Sequence, residues 1–183
     1  MSSYSYPDTV AGPYERPPQS VLDREGRQTR ITRYDGEFEA VVAMYDAFDP
    51  ADRAQGIPPI DTSGIREWLE LILGAEPTNV LASQEDSVVG HATLVPDGDG
   101  AYELAIFVQS SHQEAGIGTA LMKGLLGAGR AAGVERVWLS VERWNAPAIT
   151  LYQNVGFRPQ EDGGFERVMT ARLASPGGAS SEQ

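Results

Sequence analysis

Apolar positions in this chain keep two rhythms, one of two residues and one near 3.6, and the switches between them divide it into elements. R-Q-T-R-I-T-R-Y (27–34) alternates as a strand does, and E-F-E-A-V-V-A-M-Y-D-A-F, ending before Pro50, has the helical period. A loop with Pro and Gly leads to Asp61, Thr62 and Ser63, any of which can cap a second helix. Its apolar face is Ile65, Trp68, Leu69 and Ile72, and Gly74 and Pro77 stop it. Strand-like runs follow at 79–83, 88–95 and 101–108, joined by the turn signals E-D-S and P-D-G-D-G, which predicts an antiparallel meander. From Gly116 the helical period returns with Ile117, Leu121, Leu125 and Ala128 on one face, and then Val137, Leu139 and Val141 alternate. That is a strand, helix, strand crossover with a parallel pair at its centre. Residues 146–155 read as a short helix with Pro147 in its first turn and Gly156 closing it, and 157–158 and 165–173 as two last strands.

The order β-α-α-β-β-β-α-β-α-β-β predicts an α+β fold, a mixed central sheet of about seven strands flanked by about four helices. Residues 1–26 carry Pro7, Pro13, Pro17 and Pro18 among Tyr, Ser and Gly with little periodicity, and read as a flexible N-terminal extension. Residues 174–183 read as a flexible tail, leaving one domain over 27–173.

Composition narrows the function classes. The chain has no cysteine, which removes disulfide frameworks, thiolate zinc sites and cysteine nucleophiles. Its formal net charge of -12 argues against a nucleic-acid groove, and no stretch reaches the length of a membrane span or has the form of a secretory signal. A cytoplasmic protein without nucleic-acid or membrane partners is the expectation. Lys123 is the only lysine beside thirteen arginines. That balance, with the acid excess, suits GC-rich coding and a high-salt, halophilic cytoplasm. His91 and His112 stand alone, without ligand spacing, so no metal is expected, and His112 reads as a loop contact.

The densest chemistry lies between the strand at 101–108 and the helix after it. Backbone N–H groups at a helix start lack intrahelical partners and carry the positive end of the helix dipole, and Gly116 and Gly118 let a phosphate approach the main chain. The spacing is neither G-x-G-x-x-G nor G-x-x-x-x-G-K-[ST]. Taken alone, such a loop is more often a plain turn.

V-Q-S-S-H-Q-E-A-G-I-G-T-A-L-M resembles the acetyl-coenzyme A signature of the GNAT N-acetyltransferase superfamily, with Gln113, Gly116 and Gly118 in its [Q/R]-x-x-G-x-[G/A] core. S-V-E-R-W-N-A-P-A-I-T-L-Y-Q-N-V-G-F is similar to its second signature, with Asn145, Ala148, Leu151, Tyr152, Gly156 and Phe157 in matching places. The resemblance covers about residues 27–173 and is weaker to protein-lysine acetyltransferase domains. It implies a splayed mixed sheet and acetyl transfer from acetyl-CoA to a primary amine, of a protein or a small molecule. It implies a cofactor loop of Gln113, Glu114, Ala115, Gly116, Ile117, Gly118 and Thr119, with the backbone of Ile106, Phe107 and Val108 and the side chain of Asn145 along the pantetheine arm. Glu114 and Ala115 depart from the small or basic residues of many relatives. Lys123, Arg130 and Arg143 are candidate cations for the 3′-phosphate, and superfamily dimers imply a homodimer.

By the same resemblance Glu103 is the general base, against the plain reading of a solvent-facing strand residue. Tyr152 is the general acid for the leaving thiolate, against an aromatic that packs helix on sheet. Asp46, Asp49, Asp52 and Asp61 in the early-helix region would attract a cationic acceptor. A catalytically silent acyl-CoA sensor and a plain interaction domain are the competing classes.

Overall fold

A computed structural model describes residues 4–48, 59, 61–113, 116–160 and 164–175. Strands β1 (Gln19–Leu22) and β2 (Gln28–Arg33) precede helices α1 (Phe38–Asp46) and α2 (Thr62–Ile72). The meander β3 (Thr78–Gln84), β4 (Ser87–Pro96) and β5 (Tyr102–Val108) leads through a short turn to α3 (Ile117–Ala131). Then come β6 (Arg136–Glu142), α4 (Ala146–Val155), β7 (Arg158–Pro159) and β8 (Glu166–Arg172). The strands form one mixed sheet in the order β1-β2-β3-β4-β5-β6-β8-β7, antiparallel except between β5 and β6. The expected element order holds, with eight strands in place of seven.

Each helix starts and faces as its residues direct. Asp61 caps α2 by accepting from Gly64 N–H, Ile65 and Leu69 point inward, and Arg66 forms a paired ion contact with Glu39 that fastens α2 to α1. One sheet face, carrying Ile31, Val80, Leu94, Leu104 and Leu139, is covered by α3 through Leu121 and Leu125 and by α4 through Val155. The other, carrying Leu81 and Val88, is covered by α1 and α2 through Val41, Tyr45, Ile65 and Leu69. Burying each such Leu or Ile contributes about 1.5–3 kcal/mol.

The reading of 1–26 as a flexible extension is corrected for its described part. Gln19–Leu22 pairs with β2, and residues 4–17 form a strap packed across the domain. Tyr4 packs on Trp138, Thr170 donates to Ser5 O, Arg172 donates to Pro7 O, and Tyr14 donates to Val155 O at the end of α4. The strap crosses α3 at Gly127, where a Cβ would stand 2.4 Å from Glu15 O, so only glycine lets the two backbones meet. Prolines break periodicity, and the anchors here are isolated tyrosines and main-chain carbonyls, which no periodic pattern marks.

Candidate active site

β5 and β6 pair only at their starts, Tyr102 with Val137 and Glu103 with Trp138, although β5 runs on to Val108 and β6 to Glu142. Each strand stays with its antiparallel neighbour over its whole length, β5 with β4 and β6 with β8. Two ribbons that twist separately part, and a gap opens beyond Glu103. Which β5 groups face it follows from one bond: Gln109 N–H donates to Val89 O, and antiparallel pairs alternate. Phe107 and Ala105 therefore exchange both main-chain bonds with β4, while Leu104, Ile106 and Val108 turn theirs toward the gap. Of the three residues expected to offer backbone to a ligand, Ile106 and Val108 turn theirs toward the gap, and Phe107 spends both of its groups on β4. The side chains of Ile106 and Val108 border the gap and are half-buried rather than full core.

Gln113 donates from Nε2 to Val108 O at 2.9 Å, folding the loop back onto the end of β5. Glu114 and Ala115 lie outside the described residues. Gly116 has φ 87°, the left-handed region, with nothing within 4 Å of a would-be Cβ, so the helix start is open above it. Ala120 N–H bonds back to Gly116 O, which leaves the N–H groups of Ile117, Gly118 and Thr119 without intrahelical partners. Gly118 faces Leu151, so this end of α3 lies beside α4.

Across the gap, Asn145 caps α4, its Oδ1 accepting from Ala148 N–H at 3.3 Å, and only its amide NH2 is left for another partner. Tyr152 packs on the core cluster and edge-on to Phe157, and its hydroxyl has no hydrogen-bond partner among the described residues. Burial pushes its pKa up to about 12, so the phenol keeps its proton throughout the neutral range.

Glu103 points to the opposite face, beside Trp138, whose Nε1 donates to Asp97 at 3.0 Å. Partial burial first, then the carboxylates of Asp97 and Glu166, raise its pKa above the ordinary glutamate value. The Asp97 and Trp138 surroundings are the part of the site that sequence reading missed. P-D-G-D-G was legible as a turn, but nothing in it marks an acid that returns to β6.

Of the four acids expected to attract the acceptor, the two that are described each hold a partner within the domain. Asp46 accepts from Thr62, Asp61 caps α2, and Asp49 and Asp52 lie outside the described residues. His112 hydrogen-bonds Ser111 in the turn after β5. No group of His and acid residues suited to a metal ion occurs among the described residues, and no described helix is long and apolar enough to cross a membrane. Of the candidate cations, Lys123 lines a cavity of about 450 Å³ with Tyr14, Glu15, Asn154 and Val155, where the strap meets α3 and the end of α4. Arg130 is at the far end of α3, and Arg143 donates to Gly164 O.

The sequence model of the acetyltransferase (GNAT) family matches residues 38–157, from α1 to the end of α4. The chain belongs to this family. The GNAT domain of S. lividans PAT superposes with a TM-score of 0.71 at 16% identity, over 85% of this chain and 97% of that one. The putative acetyltransferase yncA of Salmonella typhimurium, determined with its cofactor acetyl-CoA, gives 0.66 at 20% identity, over 84% and 98%. Both likenesses concern the GNAT fold. In sequence the chain is 26% identical over 141 residues to the N-acetyltransferase YobR of Bacillus subtilis (strain 168). That match covers 77% of this chain and 55% of YobR, so the GNAT unit here spans about half of that relative.

Proposed function

We propose that the protein transfers the acetyl group of acetyl-CoA to a primary amine by direct attack, with Glu103 as general base and Tyr152 as general acid. The observation that carries this reading is the parting of β5 from β6 beside an uncapped helix start, with an unpaired tyrosine hydroxyl on one side and a raised-pKa glutamate at its closed end. The main-chain groups of Ile106 and the N–H of Val108, whose carbonyl Gln113 holds, suit a linear chain of amides, which would lie along β5 as an added strand does. The N–H groups of Ile117, Gly118 and Thr119 suit a pyrophosphate. When bound, the cofactor supplies an activated thioester. Glu103 takes the proton of the incoming ammonium group, directly or through water, so that the amine can attack. Tyr152 holds a proton at Oη for the departing sulfur.

Coenzyme A release in the presence of a panel of polyamines, amino acids and lysine peptides tests the reading. Glu103→Gln should lower kcat about 100-fold and remove the acid limb of the kcat/KM profile. In the wild type that limb should lie above the ordinary glutamate value, because activity falls as a raised carboxyl takes up its proton. Asp97→Asn should move it down. Acetyl-CoA binding without turnover of any amine would favour the silent sensor.

We place the 3′-phosphate at Lys123, because its cavity lies where the strap meets α3 and the end of α4, five residues along α3 from Gly118, and no ion pair holds the ammonium group among the described residues. Calorimetry should show Lys123→Ala weakening coenzyme A about tenfold and leaving 3′-dephospho-coenzyme A unchanged. Equal losses for both ligands would put the phosphate elsewhere.

A further inference from the structure

We infer that Trp144 and Phe165 form a docking surface for a polypeptide that carries the acceptor lysine. The inference rests on the proposed role of Glu103. Trp144 is 77% exposed and Phe165 100% exposed, where large aromatics are ordinarily covered. Trp144 sits in the turn from β6 to α4 and Phe165 at the start of β8. The Arg143 Nε donates to Gly164 O at 2.6 Å and ties the two segments together. Both aromatics stand just past the last rung of the β6–β8 ladder, Trp144 beyond the open end of β6 and Phe165 beside it on the side away from β5.

That last rung sets Glu142 opposite Glu166, a like-charge pair on the sheet face that carries Trp138 and Glu103. Directly opposed carboxylates destabilise a ladder, and a cationic segment laid across them offsets the repulsion. The size of the acceptor follows from the register. Trp138 is beside Glu103, and Glu142 lies four residues further on, about 13 Å along the strand. A small amine at Glu103 does not reach the aromatics. Trp144 is two residues beyond Glu142, about 20 Å from Trp138, so an extended peptide reaches the aromatics with a side chain about six positions from its lysine. The complementary acceptor is thus a basic segment with an apolar residue at that distance, drawn in by a protein of net charge -12.

The probes are thirteen-residue peptides with a central lysine and either leucine or serine at each flanking position, with spermidine as the small-amine control. Wild type is compared with Trp144→Ser, Phe165→Ser and the double variant, all changes at exposed positions. Leucine about six residues from the lysine should raise kcat/KM, and the double variant should lose about tenfold on those peptides, mostly in KM, while spermidine changes less than about twofold. Equal losses for peptide and spermidine, no loss on any peptide, or acetylation of small amines alone would overturn the docking surface. Fluorescence polarisation of labelled peptides and calorimetry of acetyl-CoA, both without turnover, separate the two claims. If acetyl-CoA fails to bind, the transferase reading fails. Peptide affinity that the double variant retains sinks the docking surface whether or not the enzyme turns over.

Discussion

Tyr152→Phe should lower kcat about 100-fold while acetyl-CoA affinity changes by less than about twofold, a result that stopped-flow measurement of coenzyme A release and calorimetry together would establish. The substitution removes one oxygen and keeps the ring. That ring packs on Phe157 and the core cluster around it, so the α4 side of the gap should keep its shape. The hydroxyl has no partner among the described residues, so its loss leaves no buried group stranded and thermal stability should barely move. A drop in rate without a drop in stability or binding is the signature of a proton donor. It also separates that role from the packing role a tyrosine at helical spacing usually has. The pH profile adds a second handle. A donor pushed up to about 12 stays protonated across the range where amines become free bases, so the wild-type rate should not fall between pH 8 and about pH 10 on account of this group. An unchanged kcat in Tyr152→Phe would make the residue a packing aromatic and leave the leaving sulfur to another donor or to water.

The comparison of sequence with structure turns on what kind of signal each feature leaves. The helices at 38–46, 62–72, 117–131 and 146–155 were legible because a half-buried helix must repeat near 3.6 residues, and the meander because its turns need Asp, Gly and Pro. Gly116 was legible because an open left-handed start tolerates little else. The strap was not, since Tyr4 and Tyr14 are anchored by a single ring contact and a single hydrogen bond to residues more than a hundred positions away. That Phe107 spends its main-chain groups on β4 was also hidden. Sequence gives the strand, but which of its main-chain groups face β4 depends on register, and register here is fixed by Gln109 against Val89. Glu103 was visible as a charge in a strand, whereas its neighbours Asp97 and Glu166 arrive from a hairpin loop and from β8.

A different long-range feature should carry the largest single contribution to stability outside the apolar core. His91, fully buried on β4, lies 2.6 Å from the Tyr45 hydroxyl of α1 through Nδ1 and 2.7 Å from Asn79 Oδ1 of β3 through Nε2. Asn79 spends its amide NH2 on Ile72 O at the end of α2, so its oxygen must accept. That assigns the proton to Nε2 of His91, and Nδ1 accepts from Tyr45. One imidazole thus joins α1 and, through Asn79, α2 to the sheet, and the Tyr45 ring also packs against Phe107 and Trp68. His91→Leu fills similar space but strands the Tyr45 hydroxyl and Asn79 Oδ1, and urea unfolding should show a loss of about 2–5 kcal/mol. A loss under about 1 kcal/mol would mean the network relaxes onto water or onto itself.

The same histidine predicts how stability follows pH. Burial lowers its pKa to about 3, so the folded protein stays neutral at a site where the unfolded chain binds a proton below its ordinary value of 6.5. Stability should be level above that value and fall as pH drops from about 6.5 toward 3, at up to about 1.4 kcal/mol per pH unit. Asp23, held to about 2 by hydrogen bonds from Arg27, Gln84 and Glu25, contributes stability that is lost only lower, as pH falls through its folded value from the ordinary 3.8. His112 adds a shift of the same sign as His91, and it is unchanged in His91→Leu. The difference in slope between wild type and variant from pH 6.5 to 5 therefore isolates His91. Equal slopes would show that the imidazole is protonated in the folded state at mild acidity, and that Tyr45 and Asn79 have rearranged to accept its second N–H.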